Sequence, residues 1–363
     1  MKEEKMQKIK QKLIELGQQL VRQIEKKQNP TVSLPVRSLS NVHYNKKIGT
    51  LELGKNMASR QFFNVAHTKK FLQTIEVANV SKKLLDLGKT TSLRDVYYQI
   101  KRTIPGTKIN VCDEQTETDK AIEDLEVITG FSREQLHINA NKNGSVSGRV
   151  IIEDKGDTID WSKMGSGGWS IPSNVEDITF KKVQAKYVLY MEKAAVWERL
   201  HEDKFWDKHQ CIILSSQGQT TRGIRRLLQR LAEEHNLPIY VLTDFDPWGH
   251  YIYSVIKYGS ISLAHISDKM AIPQVKYLGI LAKDIEEYDL KKHFISLNDK
   301  DISRIKQISD YDWFKDKKIW QKEFEAMKKY KSKAEIQALS SKGITFISDK
   351  YLPEKIKKQD WID

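Results

Sequence analysis

The chain has 363 residues, and its 61 Lys and Arg against 48 Asp and Glu give a formal net charge of +13, which points toward a polyanion, most simply nucleic acid. That length implies two domains, or one large domain with an extension, and an apolar share of 39% suffices for their cores. No apolar run approaches the ~18 residues of a membrane span. The two cysteines, Cys112 and Cys211, and nine scattered histidines exclude a disulfide framework and a zinc-spaced motif, and imply a reducing, intracellular setting.

Residues 1 to 28 read as one amphipathic helix, with Met6, Ile9, Leu13, Leu16, Leu20 and Ile24 at spacings of three and four. That stripe must cover either its own domain or a partner. Asn29-Pro30 ends it, and residues 31 to 53 look like an arm or hairpin. Helical period returns from Gln61 to Leu87, with Gly88 as a stop. Ser92 with Asp95 three later is a capping-box pattern, so a second helix begins near Leu93. Two helices with a short turn, the second carrying Arg and Lys, suit a helix-turn-helix or winged-helix DNA reader. On that second helix Arg94 and Tyr98 are neighbours at i and i+4, while Tyr97 turns away and packs. A phenol has a pKa near ~10, and a guanidinium one turn away both favours phenolate and can hold a phosphate. Taken alone, the pair also fits a half-buried Tyr stacked on an Arg.

Residues 105 to 180 hold an acidic helix, ETDKAIEDLEVITG, among short strands and turns. The GSGG run Gly165–Gly168 reads as a flexible connector, and no GxxxxGK[ST] occurs anywhere, so the chain shows no ATP loop. From Lys186 the pattern becomes α/β: KYVLYME, CIILSS and PIYVLTDFD are strands, separated by the helices KAAVWERLHED and TRGIRRLLQRLAEEH. Such alternation implies a parallel sheet whose sites lie at the carboxyl ends of its strands. Glu192, Gly218, Asp244 and Asp246 fall at those ends. An extended Asp-Phe-Asp places both acids on one face, and one or two carboxylates suffice for Mg²⁺. Asp246 before Pro247 is equally a helix N-cap before an N1 proline, and Asp244 a turn residue.

A strand-terminal Glu followed by DxD resembles the Toprim metal-binding fold. With LRDVYY upstream, the chain resembles the family of topoisomerase VI A subunits and their meiotic break-forming relatives. The resemblance runs through PVRSLSNV (35–42), TSLRDVYYQIK (91–101), DEQTETD (113–119), SGRVIIEDKGDTIDW (147–161), KYVLYMEKAAVWERL (186–200), VLTDFDPWGHYI (241–252), KAEIQAL (333–339) and DKYLPEKI (349–356). It implies an N-terminal helix and arm for partner contact over 1–64, and a winged-helix, CAP-like domain with the catalytic tyrosine over 65–156. A Toprim α/β domain with a C-terminal extension would cover 157–363. It further implies Tyr98 as nucleophile, Arg94 as its assistant, and Glu192, Asp244 and Asp246 as Mg²⁺ acids. Double-stranded DNA is the implied substrate. The implied assembly is a homodimer of this chain with two ATPase B subunits, in the cytoplasm with the nucleoid and away from membranes.

The sequence departs from the family at Ser216-Gln217, where Gly-Lys is usual, and at Thr220-Thr221, where Pro-Asp is usual. Phe245 stands where a small residue is common. Three other readings stay open on the residues: a break-forming transesterase without strand passage, a Toprim nuclease or primase in which Tyr98 is only core, and a non-catalytic DNA-binding scaffold.

Overall fold

In a computed structural model describing residues 2–363, the chain divides into two compact units. One comprises residues up to Val42 with Leu53–Asn141; the other comprises His43–Glu52 with Lys142–Asp363.

The first unit is helical. Helix α1 (Lys2–Glu25) carries the expected stripe, and Ile9, Leu13, Leu16 and Leu20 are buried. They join one cluster with Phe71, Val77, Leu84, Val96, Ile100, Ile122 and Leu125 of the same unit. The stripe therefore covers its own domain, and the idea that it waits for a partner loses that support. Away from it, Ile14, Val21 and Ile24 stay exposed. The arm is a pairing of Thr31–Pro35 with Met57–Gln61, antiparallel. Helix α2 (Val65–Leu87) begins later than the periodicity suggests, because Asn64 caps it by accepting from the Ala66 N–H, and Gln61 belongs to the strand. Gly88, at φ +63°, ends it in the left-handed region that glycine tolerates. Helix α3 (Leu93–Ile100) starts at the expected capping box: Ser92 Oγ accepts from Asp95 N at 3.1 Å and Asp95 Oδ2 accepts from Ser92 N at 3.3 Å. Helix α4 (Gln115–Thr129) packs against both α2 and α3.

In the second unit the strands Val188–Met191, Ile212–Ser215, Ile239–Leu242 and Lys276–Gly279 are parallel. Ser145–Ser147 and Trp169–Ser170 extend the sheet antiparallel on the Ile212 side, so it is mixed rather than wholly parallel. The first two parallel strands are buried throughout, as near-continuous apolar runs covered on both faces should be. Val188–Met191 lies between Ile212–Ser215 and Ile239–Leu242. The chain leaves this central strand to one side and returns on the other, so its carboxyl end is a topological switch point, where α/β sheets open a crevice. A separate three-stranded antiparallel sheet holds Val150–Asp154 between Thr179–Val183 and Asp157–Asp160.

The GSGG run is not a loose connector. Gly168 has φ +64°, and a Cβ there would stand 2.7 Å from the Trp197 ring and 2.9 Å from the Val146 carbonyl. Gly168 alone of the run is required by close packing on an indole; Gly165 and Gly167 meet nothing within 4 Å.

Burial of the α1 stripe predicts that Leu13→Ala destabilises the lone chain by about 2–4 kcal/mol, as for other core leucines. Denaturant unfolding checks it; a change near zero would mean the stripe faces solvent.

Candidate functional site

The structure separates the two tyrosines of α3. Tyr97 is 9% exposed and its hydroxyl donates to the Asp113 carbonyl at 2.8 Å. Tyr98, one residue on, is 58% exposed. The Arg94 guanidinium lies 5.9 Å from the centroid of the Tyr98 ring. A hydrogen bond to that phenol, and its charge, raise Arg94 above its ordinary value. The capping box fixes where α3 begins, and the 3.6-residue period then puts Arg94 and Tyr98 on its open face.

The acids stand at the switch point of the second unit. Glu192 follows directly on Val188–Met191, and its N–H donates to the Leu242 carbonyl of the neighbouring strand at 3.3 Å. Its Oε2 is buried with no hydrogen-bond partner. Burial, reinforced by repulsion from Asp244 and then Asp246, pushes its pKa up to about 8. Asp244 is 5% exposed. Its Oδ1 accepts from the Ile336 N–H at 2.9 Å and its Oδ2 pairs with Lys193 Nζ at 2.9 Å. Burial still raises its pKa against both of those partners. Asp246 is the N-cap of the helix Pro247–Tyr258, accepting from the Gly249 N–H at 2.6 Å, and burial lifts it to about 6. Asp246 is thus the helix cap that the Asp-Pro step implies, and its charge also bears on Glu192.

Phe245 is fully buried, and its backbone pairs in both directions with Ala334 at 2.9 and 3.1 Å. KAEIQAL thereby becomes the wall of the acid site, and Lys193 bridges Asp244 to Glu335, 3.3 Å away. Lys193 and Glu335 are missed by strand-end reasoning, although both lie inside the motifs YMEKAA and KAEIQAL. Among the described residues, no three carboxylates form a ready metal cluster. The donor set nevertheless fits a hard divalent cation. It offers an orphaned buried carboxylate oxygen beside two further carboxylates whose charges oppose it.

The departures on the second strand have a structural account. Thr221 caps the helix Arg222–His235, a role that a short oxygen-bearing side chain performs. Ser216 and Thr220 share hydroxyl hydrogen bonds with the buried Tyr190 phenol, at 2.6 and 2.5 Å. The loop is closed by hydroxyls.

Comparison with known proteins covers most of the chain. Residues 69–138 match the family model described as type IIB DNA topoisomerase. Residues 141–184 match the all-beta domain in the DNA topoisomerase VI alpha subunit, and 187–356 match the Toprim domain of Spo11 and the topoisomerase 6 A subunit. The A subunit of type 2 DNA topoisomerase 6 from Pyrococcus abyssi is 41% identical over 97% of this chain and 94% of its own length. That of Methanocaldococcus jannaschii is 36% identical over 97% and 96%. The A3 subunit of DNA topoisomerase 6 from Oryza sativa subsp. indica is 34% identical over 91% of this chain and 73% of its own. With a Toprim domain, a type IIB topoisomerase region and relatives aligned nearly end to end, the chain belongs to the family of type 2 DNA topoisomerase 6 A subunits.

Proposed function

We propose that this chain is the DNA-cleaving subunit of an ATP-dependent type IIB topoisomerase, and that Tyr98 is its nucleophile. The observation that carries the assignment within the pair is the contrast on α3: the Tyr97 hydroxyl is spent on the Asp113 carbonyl, whereas Tyr98 is exposed beside a guanidinium. The Tyr98 phenol oxygen attacks a backbone phosphorus of duplex DNA. The phenol gives up its proton to water as its oxygen bonds to the phosphorus, which stays on the 5′ end of the break; the bond from phosphorus to the 3′ oxygen breaks, and that oxygen takes a proton from water and leaves as a hydroxyl. The phosphodiester energy is conserved, so the reverse step reseals the strand. Arg94 holds a phosphate oxygen by a charge-assisted hydrogen bond.

Glu192, Asp244 and Asp246 are the residues to hold Mg²⁺, and Lys193 balances Asp244 before it binds. Bound there, Mg²⁺ would neutralise charge building on the phosphate. One tyrosine per chain cuts one strand, so a double-strand break calls for a twofold pair of chains. We assign the helical first unit, with its α2–α3 turn, a winged-helix role in reading DNA, within the segments 1–64, 65–156 and 157–363. With no nucleotide loop in the sequence, the energy for duplex passage comes from an ATPase B subunit, two of each in the complex.

Two outcomes test this. Tyr98→Phe reduces the covalent protein–DNA adduct to background while duplex binding stays within about twofold, since only a phenol oxygen is lost; Tyr97→Phe keeps the adduct and loses about 1 kcal/mol of stability with its hydrogen bond. Denaturing gels of a labelled cleavage reaction read both, and survival of the adduct in Tyr98→Phe would reject the nucleophile. In a plasmid assay the lone chain neither turns over ATP nor relaxes supercoils. With the B subunit, ATP and Mg²⁺ it relaxes plasmid and, on quenching, leaves protein on 5′ ends. Hydrolysed ends free of protein would favour a nuclease instead.

A further inference from the structure

Buried charge without a partner is costly, and proteins usually pair it. Arg225 breaks that rule. It lies on the helix Arg222–His235, one turn in from the Thr221 cap, and is 2% exposed. Its Nε and Nη2 are buried with no hydrogen-bond partner among the described residues. The nearby arginines of the same helix are neutralised: Arg226 pairs with Glu176, and Arg230 with Glu234. Burial, and then repulsion from Arg222, bring its pKa down to about 10, against the phenol of Tyr251, which favours the charge. No carboxylate is among them.

The surroundings add to the positive field. Tyr251 sits on the helix Pro247–Tyr258, and Arg304 lies over its ring at 4.7 Å and over Trp248 at 4.3 Å. Helix Arg222–His235 follows the carboxyl end of strand Ile212–Ser215, and helix Pro247–Tyr258 follows that of Ile239–Leu242. Both helix N-termini therefore open on the edge that carries Glu192, Asp244 and Asp246. A helix N-terminus favours an anion through its free N–H groups, and a helical side chain leans toward that end. Arg225 stands in the second turn of such a helix, and its two unpaired, buried guanidinium nitrogens are donors suited to an anion.

We propose that Arg225, beneath the first turn of helix Arg222–His235, receives a phosphate-type anion beside the acid site. A guanidinium fork suits phosphate, which accepts two parallel N–H bonds. Two sources share this chemistry, a backbone phosphate of DNA and a free phosphate. The choice of DNA rests on the proposed function; the anion chemistry does not.

The test uses the full chain and two probes. The first is inorganic phosphate against chloride at matched ionic strength, in chelator, with thermal unfolding as readout. Phosphate several-fold above its Kd raises Tm by about 2–4 °C in the wild type. Arg225→Met melts higher than wild type without phosphate, since an unpaired buried charge is gone, and does not respond to phosphate. The second probe is a short duplex, whose binding is measured against salt. If DNA supplies the phosphate, Arg225→Met lowers the slope of log K against log salt by about one. An unchanged slope with a retained phosphate response would assign the site to a free anion. Absence of a phosphate-specific shift in the wild type, or a lower Tm for Arg225→Met in chloride, would overturn the proposal. Because the phosphate arm needs no cleavage, it stands or falls separately from the role of Tyr98.

Discussion

Burial of three carboxylates at one sheet edge is the constraint on which the second unit turns. Glu192, Asp244 and Asp246 share an edge where burial disfavours their charged forms; Asp244 and Asp246 make Glu192 harder still to ionise, and Asp244 does the same to Asp246. The fold manages this with local devices. Lys193 offsets Asp244, the Ile336 N–H holds one of its oxygens, and the helix cap engages Asp246. Glu192 alone keeps a buried oxygen with nothing to meet it. Such an arrangement lowers stability on its own, and the Mg²⁺ proposed for it would offset that cost.

The second unit was readable because its chemistry sits where the topology puts it. Buried runs ending in Glu192 and in Asp-Phe-Asp mark strands, and a central strand with neighbours on both sides fixes which ends share a crevice. On α3, the capping box and the helical period were enough to turn Tyr98 outward and Tyr97 inward. These are short-range rules, and they transfer from sequence to structure with little loss.

Features set by distant contacts were not readable. Nothing in KAEIQAL announces that its backbone pairs with Phe245, 89 positions earlier, or that Glu335 shares Lys193 with Asp244. A large Phe245 stands in place of a small residue because its ring fills the core under that pairing. The α1 stripe looked the same whether it faced a partner or its own core, and only the packing decides. Gly168 looked like a flexible linker because a glycine needed for mobility and one needed for close approach to Trp197 are the same letter.

Thermal unfolding against pH measures whether the acid site is strained by its own charge and relieved by a divalent cation. The folded chain holds Glu192 near 8 and Asp246 near 6, above their ordinary values, so it binds protons that the unfolded chain releases. Stability from these groups is fully present below the ordinary carboxylate range and is lost as pH rises toward 8. In chelator, the wild type should therefore lose Tm between about pH 5 and 8.5 relative to Glu192→Gln, and Mg²⁺ should restore the wild type but not the variant. Parallel pH curves for the two proteins, with no Mg²⁺ response in the wild type at pH 8, would contradict it.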